Sequence, residues 1–108
     1  MTARAALLDL HRALVEEERR DHEKTLGRLT GGEFLRALIT DPVFAWLAPL
    51  TTLIVRLDEL EEAGAADVLF AARALLSEDS EFRRRCTALI QRSADVAFAY
   101  AAAKRALS

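Results

Sequence analysis

Residues 41–64 read DPVFAWLAPLTTLIVRLDELEEAG, the most apolar stretch of the chain. Asp41 is a favoured N-cap residue and Pro42 suits the first helical position, so this pair predicts the start of a helix. Gly64 predicts its end. Pro49 lacks the N–H of an interior helical residue, which predicts a kink. Because apolar residues cover most of its circumference, we predict that this helix lies at the centre of a bundle or in a subunit interface.

Upstream, residues 3–28 predict one long helix that is capped by Thr2 and ended by Gly27 together with the following glycine pair. Apolar residues recur at helical spacing in its first half, so this half is expected to pack on the core. The run EEERRDHEK, residues 16–24, is polar on nearly every side. Such a segment projects from a bundle or meets a partner, and the whole helix would be about 39 Å long.

A short second helix is predicted after Thr30, because Thr30 and Glu33 have the spacing of a capping box. Asp41 precedes a proline and is therefore disfavoured in helical geometry, so this helix should stop before it. Its buried side is expected to carry Phe34, Leu35, Leu38 and Ile39.

The C-terminal part of the chain continues the helical pattern. A fourth helix is predicted over residues 66–76, and Ser80 can cap a fifth that begins near Phe82. Ser93 can cap a sixth, so we expect the last stretch to bend or break there. Because the chain shows no alternating strand pattern, we predict an all-α fold, a compact bundle of four to six helices in one domain over residues 1–108.

Composition and charge exclude several classes of protein. A chain of 108 residues, 52% of them apolar, can bury a core without disulfides. The net charge of −2 supplies no field that would recruit nucleic acid. Cys86 is the only cysteine, which is typical of a reducing compartment. With no apolar run near the length of a membrane span and no signal-peptide pattern, we expect a soluble, cytoplasmic protein without a membrane partner.

The central stretch resembles a small family of uncharacterised bacterial helical proteins that share a core similar to DPxFAWLxPLxxLIVxxDE. The matching residues are Asp41, Pro42, Phe44, Trp46, Leu47, Pro49, Leu50, Ile54, Val55, Asp58 and Glu59. Residues 10–19, LHRALVEEER, resemble the first helix of the same family, whereas His22 stands where an aromatic residue such as tyrosine is expected. The resemblance covers about half of the chain. It implies a helical bundle and brings no activity, cofactor or partner.

The candidate metal ligands lie on one face of the first helix. His11, Glu18 and His22 are spaced i, i+7 and i+11, and imidazole and carboxylate groups are common ligands of zinc and non-haem iron. His11 is about 16 Å from His22 along the helix axis, too far for both to bind one ion. Glu18 and His22 could chelate with carboxylates of the central helix, namely Asp58, Glu61 and Glu62. We prefer the alternative that this is a solvated charged face.

Other candidate side chains also have a structural explanation that we prefer. Cationic neighbours at residues 83–85 would activate the Cys86 thiol, but burial between apolar neighbours predicts an inert core residue. The three arginines point about 100° apart and do not form one patch for phosphates. His11 is expected to be half-buried and bonded to a carboxylate or carbonyl. Three aromatic residues that could line a ligand pocket are expected in the core: Phe34, Phe44 and Trp46.

No catalytic motif stands out, so we predict no catalytic residue and no cofactor. We expect a non-enzymatic helical scaffold or protein-interaction module that forms a homodimer, because the central helix is too apolar and the first helix too long for the core of one chain. The candidate interface residues are Trp46, Leu50, Leu53 and Leu57. The alternative is a small metal- or ligand-binding bundle that uses Glu18 and His22.

Overall fold

The computed structural model of the protein describes residues 2–28, 30–59 and 65–108, and nearly all of these residues are helical. Within these ranges there is no strand, which confirms the all-α prediction. The helices in chain order are α1 (Ala3–Leu26), α2 (Gly31–Thr40), the 3₁₀ helix η1 (Pro42–Leu47), α3 (Ala48–Glu59), α4 (Ala65–Ser77), α5 (Glu81–Ile90) and α6 (Ala94–Leu107).

Side-chain caps determine where most of these helices begin, as the sequence predicts. The Thr2 hydroxyl accepts a hydrogen bond from the Ala5 N–H, and Ser80 caps α5. Ser93 accepts from the Val96 N–H and starts α6, which confirms the predicted break in the last stretch. Because each cap satisfies a backbone N–H that has no partner inside its helix, these short polar residues divide an otherwise continuous apolar pattern into separate helices.

α1 lies at the centre of the bundle, where the sequence had predicted residues 41–64. Its most extensive contact is with α6, and it also packs against α3, α5 and η1. Leu7, Leu10 and Leu14 are completely buried as a result. The 24 residues of α1 span about 36 Å. Its polar half was predicted to project from the bundle, but Glu18 in this half is 5% exposed and Glu17 pairs with Arg92 beyond α5.

The predicted third helix is divided into two kinds of helix. Asp41 caps its start by accepting from the Val43 N–H at 3.0 Å, and η1 then passes into α3 at Ala48. Pro49 lies in the first turn of α3, where its missing N–H has no partner within the helix in any case, and a kink at this residue is not confirmed. α3 is not buried on all sides, as its apolar sequence had predicted. Val55 on its outer side is 47% exposed. The predicted stop at Gly64 lies outside the described residues.

α2 lies on the surface and packs mainly on η1. The capping box of Thr30 and Glu33 is present, and α2 ends before Asp41 as predicted. Leu35 and Ile39, which were expected on its buried side, are 59% and 77% exposed, because η1 covers only the opposite side of this helix. The glycine pair at residues 31–32, which was expected to end α1, forms the first turn of α2 instead.

No single helix in residues 2–28, 30–59 and 65–108 has both the length and the apolar character to cross a membrane. Two helical segments, Gly31–Ala37 and Pro42–Glu59, together have the length and apolar composition of a membrane span, but they meet at an angle of 71°.

Candidate interaction surfaces

The predicted metal ligands are not brought together. Asp58 forms an ion pair with Arg4 near the beginning of α1, whereas Glu18 and His22 lie in the second half of that helix. The His22 ring contacts Phe44, with 5.7 Å between ring centroids. Throughout the described part of the chain, His, Cys, Asp and Glu residues form no group of three that could hold a metal ion. Glu61 and Glu62, the other proposed donors, lie outside the described residues.

His11 has a structural role in joining α1 to α3. Its Nε2 atom lies 2.8 Å from the Thr51 hydroxyl. That hydroxyl donates its own hydrogen to the Leu47 carbonyl at 3.2 Å, so His11 must be the donor in the first hydrogen bond. Burial lowers the pKa of His11, which favours the neutral ring. The residue is half-buried as predicted, but its partner is a hydroxyl rather than a carboxylate or carbonyl.

Glu18 is buried, although the sequence analysis assigned it to a solvated face. The residue is only 5% exposed and continues the stripe of Leu10 and Leu14 at intervals of four residues. Burial raises the pKa of Glu18, and the nearby carboxylates of Asp21 and Glu17 act in the same direction, against the lowering effect of the arginines at positions 85 and 92. The i, i+4 spacing from the buried leucines was the signal in the sequence that could have located it.

One side of the polar half of α1 is covered because the turn between α5 and α6 lies against it, whereas Glu16, Arg20 and Asp21 stay exposed. Arg92 in this turn is 3.3 Å from a Glu17 carboxylate oxygen and 3.8 Å from an Asp21 oxygen. Arg20 lies 3.2 Å from Glu17 within α1 itself. The Arg92 ion pairs attach one side of this highly charged segment to its own bundle.

Cys86 and its arginine neighbours provide no reactive centre. The Cys86 side chain is completely buried, and burial raises its pKa to about 12, outweighing the opposing effect of Arg83. A thiol with this pKa is protonated at neutral pH and is a poor nucleophile. The arginines point to separate partners, since Arg83 donates to the Tyr100 hydroxyl at 2.6 Å, Arg84 lies beside Asp79 and Arg85 beside Glu81.

The four interface candidates from the sequence lie inside the chain's own core or against it. Trp46, Leu50 and Leu53 are buried, and Leu57 is partly buried against them. They pack mainly against neighbouring helices of the same chain, although Trp46 and Leu53 also line depressions at the surface. An interface between subunits that uses these residues stays a prediction.

The outer side of α2, formed by Leu35 and Ile39, is one apolar surface that the fold leaves uncovered. The two residues are one helical turn apart and therefore lie side by side. The inner side of α2 is anchored by Phe34, whose ring packs edge-on against Phe44 at 5.7 Å. The Arg19 guanidinium lies 4.8 Å from the centroid of the same Phe34 ring. Because the anchoring contacts are all on the inner side, the outer side of α2 is free in this chain.

A groove between the start of α3 and the α4–α5 connection is the second surface, and we call it the α3–α4 groove. It consists of two adjacent depressions of about 310 and 370 Å³, and Pro49, Leu75 and Ser80 line both of them. The other lining residues are Ala45, Trp46, Leu53, Ala71, Ala74, Glu78, Asp79, Glu81 and Phe82. The sequence analysis preferred the core for Trp46 over the lining of a ligand pocket, whereas the residue is both buried and at the edge of this groove.

No protein-family model matches this chain, and neither a curated protein nor a solved structure matches it. The resemblance of the central stretch to a bacterial family therefore stays a prediction.

Proposed function

We propose that this protein is a non-enzymatic interaction module of the cytoplasm that forms a homodimer through α2. The observation that carries this proposal is the exposure of Leu35 and Ile39, at 59% and 77%, on neighbouring turns of one helix. Adjacent exposed apolar side chains mark interaction sites more often than single ones do. The inaccessible lone thiol of Cys86 is compatible with a reducing cytoplasm.

A two-fold axis through Leu35 would give α2 a self-complementary contact. In an antiparallel pair centred on this residue, the two copies of Leu35 meet, and Ile39 of each subunit lies opposite Gly31 of the partner subunit. A Cβ atom built on Gly31 meets nothing within 4 Å in its own chain. The space beside Gly31 is therefore open for the partner's isoleucine.

The size of this contact predicts a weak dimer. Burying the exposed parts of Leu35 and Ile39 in both subunits would contribute on the order of 5 kcal/mol. Association costs several kcal/mol in lost translational and rotational freedom, so the dimer should form at high protein concentration. Such a module would be mostly monomeric when dilute and dimeric where its local concentration is high.

Sedimentation equilibrium between about 10 µM and about 1 mM tests the proposal. The average mass of the wild-type protein should rise from its 12.0 kDa monomer value with concentration. The Leu35→Asp variant should stay monomeric, because two buried carboxylates would face each other across the axis. Val55→Asp places the same charge on an exposed apolar residue of α3 and should associate as the wild type does.

Two results would overturn the proposal. One is a wild-type mass that stays at the monomer value over the whole range. The other is association of Leu35→Asp with wild-type affinity, which would place any dimer contact elsewhere. Circular dichroism spectra of the three proteins should agree, because both substituted residues are exposed.

A further inference from the structure

We propose that the α3–α4 groove binds an amphipathic, basic peptide segment of a partner protein, with apolar side chains in the groove and lysine or arginine side chains on its rim. This inference concerns a different surface from α2 and does not require the chain to dimerise. It rests on three properties of the groove: an apolar floor, an acidic rim and an unsatisfied buried donor.

The floor of the groove is apolar and is held rigidly by the core. Trp46 and Phe82 are almost fully buried, and their rings lie 5.6 Å apart. Leu53 extends this floor along α3, and Leu75 faces it from α4. A concave apolar surface with two adjacent depressions suits successive side chains from one face of a helix, which recur every three or four residues.

The rim of the groove is acidic. Glu78, Asp79 and Glu81 line it, and no lysine or arginine does. Two arginines near the rim pair with two of these carboxylates. Arg84 lies 3.1 Å from an Asp79 oxygen, and Arg85 lies 3.9 Å from a Glu81 oxygen.

Glu78 differs from these two neighbours because it forms no ion pair within the described part of the chain. Its charge is therefore available to a cation that enters the groove. Complementary charge on the rim selects a cationic occupant and increases its rate of association.

Trp46 adds a polar group that lacks a partner. Its Nε1–H is buried and has no acceptor among the described residues. A buried donor without an acceptor costs about 1–3 kcal/mol. The Nε1 atom itself is closed to the groove in this structure, so a peptide carbonyl would become its acceptor only after the indole ring turns, and the indole N–H resonance tests that movement.

The test uses a synthetic helical peptide of about 14 residues, with leucine on one face and lysine on the other. Trp46 is the only tryptophan, so its fluorescence reports directly on the groove. Titration with this peptide should change the emission of Trp46 in a saturable way and shift its indole N–H resonance. A matched peptide with glutamate in place of every lysine should leave both signals unchanged, and added salt should weaken binding of the lysine peptide.

Charge-reversal variants distinguish binding to the rim of the groove from general attraction of a basic peptide to an acidic protein. Glu78→Lys should weaken binding of the lysine peptide by about tenfold or more. Glu16→Lys changes the net charge equally on an exposed position of α1 and should bind as the wild type does. Leu35→Asp, which disrupts the proposed dimer, should also bind normally, so the two proposals can fail independently.

Three results of the peptide titrations would overturn the inference. These are an unchanged Trp46 signal with the lysine peptide at about 1 mM, equal binding of the glutamate peptide, and equal binding by Glu78→Lys. Self-association that is lost in Glu78→Lys but kept in Leu35→Asp would also overturn it, because the occupant of the groove would then be a second copy of this chain.

Discussion

Replacing Glu18 with glutamine should stabilise the protein at neutral pH. Burial raises the pKa of this carboxyl above the ordinary value of 4.5, so the folded protein binds the proton more tightly than the unfolded chain does. The free energy of unfolding therefore falls as the pH rises from 4.5 towards the raised pKa. Glutamine has nearly the same shape and carries no charge, so Glu18→Gln should avoid this loss.

The expected gain follows from the surroundings of Glu18. The residue is 5% exposed, and no hydrogen bond to its carboxylate is formed within the described residues. Arg85 and Arg92 attract the charge, but burial and two neighbouring carboxylates outweigh them. The carboxylate oxygens keep some contact with water, since they are not among the buried polar atoms that lack a partner. The full cost of about 1–3 kcal/mol for a buried unpaired group therefore does not apply, and we expect a gain of about 1 kcal/mol at most. This corresponds to a rise of about 4–8 °C in Tm for a domain of this size.

Urea and thermal denaturation of the wild type, Glu18→Gln and the control Glu16→Gln should be compared at several pH values. Glu18→Gln should exceed the wild type at pH 7 and match it well below pH 4.5, whereas Glu16→Gln, at an exposed position of the same helix, should match it throughout. His11 is present in all three proteins, so its protonation cancels from the differences. A Glu18→Gln protein that is less stable at pH 7, or whose gain is the same at every pH, would refute the reasoning.

Two further predictions concern α2 and the thiol. Thr30→Ala removes the capping box and should cost about 1 kcal/mol of helix stability. Amide hydrogen exchange should then be faster in α2 and unchanged in α1. Unchanged exchange in α2 would show that the cap is not needed there. Cys86, whose pKa is raised to about 12, should react with a disulfide reagent only as fast as the protein unfolds. Urea should therefore accelerate the reaction. Immediate stoichiometric reaction of the folded protein would contradict the burial of this thiol.

The starts of the helices could be predicted from the sequence because capping is local. Thr2, Thr30, Ser80 and Ser93 each accept from a backbone N–H three residues later, and this interaction depends on little outside one helical turn. The division near Ser93 could be predicted for the same reason. The division between η1 and α3 was not predicted, because the sequence alone does not show that Pro49 lies in the first turn of a separate helix.

The assignment of buried faces could not be predicted as well, because it depends on which helices meet. The polar half of α1 was expected to project, but the α5–α6 turn brings Arg92 against it and buries Glu18. α2 has apolar residues on two sides, and the sequence does not show that η1 covers the side of Phe34 and leaves Leu35 exposed. The α3–α4 groove was the hardest feature to predict. Its lining residues lie up to 37 positions apart in the sequence, from Ala45 to Phe82.

The apolar excess of this chain explains why several large apolar residues are exposed. With 52% apolar residues in 108 positions, a small core cannot bury them all, and some remain on the surface. Phe70 and Phe98 are exposed singly, each without a second large exposed apolar residue within one turn of its helix, and single exposures are ordinary. Leu35 and Ile39 are adjacent and face open space beside Gly31, which is the arrangement a second helix requires. Adjacency, rather than exposure of any one side chain, is therefore the reason for proposing the interface on α2 and not at Phe70 or Phe98.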